Sequence, residues 1–102
     1  MHGVPNVSRH IMVRGRVQGV GYRAFVEDQA LLAGIGGWVR NRRDGSVEAV
    51  LQGAVEQVDT VVAACRKGPP AARVNGIDQR DARVDELDLI RAGDLFSVLP
   101  TV

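Results

Sequence analysis

Cysteine occurs once in these 102 residues, at Cys65. An intrachain disulfide is therefore excluded, no Cys/His cluster stands at metal-ligand spacing, and a reducing compartment with a metal-free fold is expected. No run of about 18 apolar residues occurs, so no membrane-spanning helix is expected. The first nine residues, Met1 to Arg9, lack the apolar stretch of a secretory signal, which makes the expected location cytoplasmic. Charge of one sign is also missing: 13 Lys and Arg stand against 12 Asp and Glu, a formal net charge of +1. Bulk attraction to nucleic acid or an anionic membrane is thereby excluded, and any anion binding must be local. There is no internal repeat, low-complexity tract or linker, so residues 1–9 read as a tail and residues 10–102 as a single domain.

What is present is patterned. Residues 10–17 alternate, with Ile11, Val13 and Val17 on one side and Met12, Arg14 and Arg16 on the other, which predicts a first strand. After Gln18-Gly19-Val20-Gly21, the positions Tyr22, Phe25, Val26, Ala30 and Ala33 recur at helical spacing up to Gly34. A second strand follows over residues 36–42, and Arg43-Asp44-Gly45-Ser46 carries the Asp-Gly signature of a hairpin turn. The third strand, residues 47–52, places Val47, Ala49 and Leu51 opposite Glu48 and Gln52, with Gly53 read as its end. Val55, Val58, Val61, Val62 and Cys65 mark a second helix that stops at Gly68-Pro69-Pro70, with acids early and bases late as the macrodipole favours. Residues 72–83 and 95–99 are read as strands, and residues 84–94 as loop. The order describes an α+β ferredoxin-like (split βαβ) sandwich, βαββαβ with a short fifth strand: an antiparallel sheet covered on one face by two helices.

The glycines between the first strand and first helix let several backbone N–H groups converge, and the helix N-terminus adds partial positive charge; both suit a phosphate. Arg23, in the first helical turn, presents a planar fork of donors that can hold two phosphate oxygens. A cation there is electrostatically unfavourable unless an anion lies between it and the helix end. The same loop also reads as a tight turn with a solvent-facing arginine, and composition alone does not choose. Two other motifs are set aside. Gly19-Val20-Gly21-Tyr22-Arg23-Ala24 fits the dinucleotide fingerprint, but a hairpin follows where further parallel crossovers would be needed. No Gly-Lys-Ser/Thr follows the loop, so the Walker A pattern is absent.

In the split βαβ topology the first and second strands run parallel, so the loop after Val17 and the end of the second strand emerge at one edge. Asn41 can then face the loop across two strand spacings of about 4.8 Å each, a gap that an arginine, a phosphate and a water can fill. An asparagine at a strand end also reads as an ordinary turn-adjacent residue.

Taken together, Gly15-Arg16-Val17-Gln18-Gly19-Val20-Gly21-Tyr22-Arg23 resembles the first signature of the acylphosphatase family. Gly37-Trp38-Val39-Arg40-Asn41 with Asp44-Gly45-Ser46-Val47-Glu48 resembles the second. Gly68-Pro69-Pro70-Ala71-Ala72-Arg73-Val74 resembles the stretch where the family's second helix ends, so the likeness spans residues 10–99. The resemblance implies a hydrolase that splits the carboxyl-phosphate anhydride of a small-molecule acyl phosphate. Arg23 and the backbone of Gln18, Gly19, Val20, Gly21 and Tyr22 would bind the phosphoryl group, and Asn41 would hold the nucleophilic water. No cofactor or metal is implied; the expected protein is a monomer with no nucleic-acid or membrane partner. In some relatives a terminal carboxylate helps orient the arginine, a role Val102 would have to fill here.

The remaining polar residues read plainly: His2 and His10 as exposed, and Arg40, Arg42 and Arg43 as a solvated hairpin face that raises local anion concentration. Cys65 reads as core, and Trp38 as packing or as a border of the acyl side. RNA-recognition modules share this element order, but they stack bases on aromatics of the central strands, and the first and third strands here carry none. A third alternative is an interaction domain, or a free relative of the acylphosphatase-like domain of hydrogenase-maturation carbamoyltransferases; neither would release phosphate from an acyl phosphate.

Overall fold

The computed structural model describes residues 6–102. Eight elements follow one another: β1 (Asn6–Arg16), α1 (Tyr22–Ala33), β2 (Gly36–Asn41), β3 (Val47–Ala54), α2 (Val55–Lys67), β4 (Arg73–Asp81), α3 (Val84–Leu87) and β5 (Phe96–Val98). The strands form one sheet in the order β4-β1-β3-β2-β5. β3 is antiparallel to both β1 and β2, so β1 and β2 run the same way with β3 between them. The α+β ferredoxin-like arrangement expected from the sequence is present. Its fifth strand pairs parallel to β2, which makes the sheet mixed rather than wholly antiparallel.

Strand alternation sorts the side chains. Ile11, Val13, Val39, Val47, Ala49 and Leu51 face α1 and α2 and pack with Val26, Ala30, Val58, Val61 and Cys65 into the main core. The expected stripe of α2 is the buried one: Val58, Val61, Val62 and Cys65. β1 begins at Asn6, earlier than residue 10, because β3 runs on to Ala54 and supplies Ala54 and Gly53 as partners for Asn6 and Val7. Gly53 is thus no strand end. A Cβ there would lie 2.7 Å from Ile35 Cγ2, so glycine lets the start of β2 pack closely. Residues 1–5 of the expected tail lie outside the described residues.

The opposite face departs from expectation. Residues 84–94, read as loop, contain α3 and lie across the sheet, where Leu87 and Ile90 pack on a second cluster of Trp38, Val50 and Leu99. This cover buries charge as well. His10, read as exposed, is only 4% accessible, and its Nε2–H donates to Glu48 Oε2 at 2.6 Å. A position at a strand start suggests exposure for His10; the tertiary cover removes it. Arg40 pairs directly opposite Glu48 in the β2–β3 register and donates to it at 2.8 Å, and Arg42 donates to the same oxygen at 3.0 Å. Arg40 also stacks 4.7 Å over Trp38. Of the arginines read as solvated, then, only Arg43 is exposed. From α3, Glu86 accepts two hydrogen bonds from Arg80, at 2.8 and 2.6 Å.

Burial opposes ionisation of Glu48, but hydrogen bonds from His10, Arg40 and Arg42 together outweigh it and hold its carboxyl at about 2. Hydrogen bonding from Arg80 leads the same effect at Glu86, against desolvation, again to about 2. Both carboxyls are depressed below the ordinary 4.5, so their stabilisation is complete above that value and is lost as pH falls from it towards about 2. Urea midpoints should fall steadily over that window. Glu48→Gln should cost about 2–3 kcal/mol at neutral pH, by stranding two arginines that still reach solvent, and should flatten the acid slope.

Candidate active site

Val17, buried just past the end of β1, anchors the start of a turn in which Gly19 and Gly21 have φ of 73° and 79°. A Cβ at either position would touch nothing within 4 Å, so the left-handed backbone calls for glycine here, not crowding. Gly21 caps α1 without a side-chain hydrogen bond, and the first turn holds no acid. The first helical bond runs from the Phe25 N–H to the Gly21 carbonyl at 3.1 Å. Among the described residues, no backbone acceptor engages the N–H groups of residues 18–24. A loop of left-handed glycines opening an uncapped helix has the makings of an anion nest.

Each expected residue has a definite place. Gln18, Gly19, Gly21, Tyr22, Arg23 and Asn41 all line one open cavity of about 320 Å³. Val20 does not line it; its side chain packs against the core instead. The Tyr22 side chain also turns inward, where its hydroxyl donates to the Cys65 carbonyl at 2.6 Å and ties the start of α1 to the end of α2. Burial pushes the Tyr22 hydroxyl well above its usual range and the Cys65 thiol up to about 11, so neither is a nucleophile near neutrality. The Arg23 guanidinium makes no side-chain ion pair among the described residues. Among the described residues, it is the only cation lining the cavity.

Asn41 ends β2 on the helix-facing side, because alternation turns Arg40 and Arg42 to the other face and onto Glu48. Its Oδ1 is buried and has no hydrogen-bond partner. An unpaired buried acceptor costs about 1–3 kcal/mol, which a donor entering the cavity would recover. The Val102 backbone reaches the same strand end: its N–H donates to the Asn41 carbonyl at 3.3 Å, and its oxygen accepts from the Arg43 N–H at 2.9 Å. Val102 thus braces Asn41's strand, and among the described residues it makes no ion pair with Arg23.

Reasoning from the sequence missed Glu27 and Val98, which with Ala24 line the remaining wall of the cavity. Glu27 was findable, since it stands four residues after Arg23 on the same helical face. Trp38 does not border the cavity. It is fully buried on the far face, and its Nε1–H donates to the Glu86 carbonyl at 2.9 Å. The structure also assembles what linear spacing hid: ligand atoms of His10, Glu48 and Glu86 lie within 4.8 Å of one another. Those carboxylates are engaged by Arg40, Arg42, Arg80 and Arg83, so the cluster as it stands is an ion network.

A split βαβ sandwich with a left-handed glycine loop, an unpaired guanidinium and an orphan amide oxygen around one cavity belongs to the class of small ferredoxin-like α+β domains. Comparison narrows this. The acylphosphatase family model matches residues 9–88. An acylphosphatase of Bradyrhizobium diazoefficiens is 62% identical, over 90% of this chain and 93% of its own. One from Rhodopseudomonas palustris strain BisB18 is 56% identical, over 94% and 97%. The crystal structure of acylphosphatase from Bacillus subtilis superposes with a TM-score of 0.78 at 35% identity, covering 90% of this chain and 97% of that one. The chain belongs to the acylphosphatase family, a family of enzymes.

Because open space surrounds Gly19, a Gly19→Ala variant tests the backbone alone. It should lose about 1–2 kcal/mol in a denaturant titration, from the left-handed angle and not from a clash.

Proposed function

We propose that the protein hydrolyses acyl phosphates to a carboxylate and inorganic phosphate, with Arg23 and the Gln18–Tyr22 backbone holding the phosphoryl group and Asn41 aligning water. The observation that carries this reading is the buried, unpartnered Oδ1 of Asn41 in the same cavity as the unpaired Arg23. One group lacks a donor and the other lacks an anion, and a phosphoryl group with its attacking water supplies both.

The chemistry asks little else of the protein. Water attacks phosphorus in line, the bond from phosphorus to the acyl oxygen breaks, and its electron pair leaves on a carboxylate. That weak base needs no general acid, which suits a cavity with no histidine or cysteine among the described residues of its lining. Asn41 accepts a hydrogen bond from the water without being basic enough to remove its proton, which passes to a phosphoryl oxygen of the substrate. Arg23 and the backbone N–H groups stabilise the charge on the equatorial oxygens. Alkyl phosphates, whose alkoxide leaving groups need protonation, should not turn over.

The rest of the reading is of a metal-independent, monomeric, cytoplasmic enzyme with no nucleic-acid or membrane partner. In its support, no helix among the described residues is long and apolar enough to cross a membrane. The sheet face on which RNA-recognition modules stack bases is covered here by α3 and its flanking residues.

Purified protein should release phosphate from benzoyl phosphate at the same rate with and without a metal chelator. Arg23→Ala and Asn41→Ala should each lower kcat/KM by roughly 10²–10³-fold with the fold intact by circular dichroism. Full activity in both variants would remove the site assignment, and no phosphate release by the unaltered protein would remove the function.

A further inference from the structure

Gln18 enters the site above only through its backbone, yet its side chain makes the more telling contact. The Nε2 amide donates to the Arg42 carbonyl at 2.7 Å and to the Ser46 carbonyl at 2.9 Å. Those two carbonyls are the closing points of the β2–β3 hairpin, accepting from the Gly45 N–H at 3.1 Å and the Arg42 N–H at 2.9 Å. Gln18 therefore clasps a hairpin that is already formed, one residue beyond Asn41.

The clasp spans a break in the sheet. Pairing between β1 and β3 ends at Val13 with Val47, although β1 continues to Arg16 along β4. Past Val13, among the described residues, no backbone ladder joins the end of β1 to the hairpin. Among the described residues, the two bonds from Gln18 are the only side-chain hydrogen bonds between residues 17–23 and the hairpin. Other contacts fix Asn41 to its own side: Val47 pairs with it, Glu48 holds Arg40 and Arg42 on either flank, and Val102 braces its carbonyl. None of these sets the distance from Asn41 to the loop that carries Arg23.

From this we infer that the Gln18 side chain is a positioning residue, which sets the Asn41 amide, and so the attacking water, in register with the phosphoryl group. The inference rests on the role assigned to Asn41 under the proposed function. A displacement of about 1 Å can cost roughly 10²-fold in rate, so the loss of a two-point clasp is kinetically visible.

The test is a double-mutant cycle on kcat for benzoyl phosphate, with inhibition by inorganic phosphate measured alongside. Gln18→Met keeps the length and volume of the side chain but cannot donate, and Gln18→Ala removes both. Each should lower kcat by roughly 10–100-fold while the phosphate inhibition constant moves by less than about threefold. In an Asn41→Ala background the same substitutions should lower kcat by no more than about threefold, because the group they position is already gone. Equal losses in both backgrounds, or full activity in Gln18→Met, would overturn the inference and leave the proposed function standing. So would a loss of phosphate affinity in step with kcat, which would make Gln18 part of the cradle itself. Full activity in Asn41→Ala alone would instead remove the water-aligning role and this inference with it.

Discussion

The insertion of β3 between β1 and β2, antiparallel to both, is the constraint on which the site depends. It makes β1 and β2 point the same way at a distance of two strands, so the loop leaving β1 and the last residue of β2 meet at one edge. With α1 starting at that edge, an arginine from its first turn and an asparagine from β2 reach the same space, though neither is near the other along the chain. A hairpin with β2 and β3 exchanged in space would place Asn41 beside β1's flank and fill the gap that the cavity occupies.

Strand alternation then divides the polar residues of this edge between two environments. Asn41 faces the helices and the cavity, with its Oδ1 unpaired. Arg40 and Arg42, on either side of it, face the other way and are neutralised by Glu48 under the cover of α3. The consequence is electrostatic as well as steric. Of the three hairpin cations, Arg40 and Arg42 are consumed by Glu48 and Arg43 is exposed away from the cavity, which leaves Arg23 to define the charge of the cavity together with the half-buried Glu27. Rigidity comes from the network and openness from the glycine loop, each on its own side of one sheet.

Legibility in the sequence followed the range of the interactions involved. Helix α1 and the stop at Gly34, the Asp44-Gly45 turn and the alternation of Val47, Ala49 and Leu51 depend on neighbours a few residues away, and they were readable. So was the gathering of Gln18, Gly19, Gly21, Arg23 and Asn41 around one space, because split βαβ connectivity implies it. His10 reads as exposed because a histidine at a strand start looks solvated until residues 84–94 fold over it. Those residues lack a strong period of their own, and Glu86, buried at 5% accessibility, shows no mark in sequence of the Arg80 and Arg83 that receive it.

By itself, the sequence determined the order and kind of the main elements, the left-handed glycines before α1, and which residue types stand at the two ends that converge. Those properties are local, set by backbone angles, periodicity and hydrogen-bonding capacity. Only the tertiary structure decided that the far face of the sheet is covered, that Glu48 draws Arg40 and Arg42 away from the cavity, and that the Gln18 amide spans the unpaired end of β1 to reach the hairpin. The first and last follow from contacts between residues tens of positions apart, and the second from a cross-strand register that the hairpin takes up only within the folded sheet.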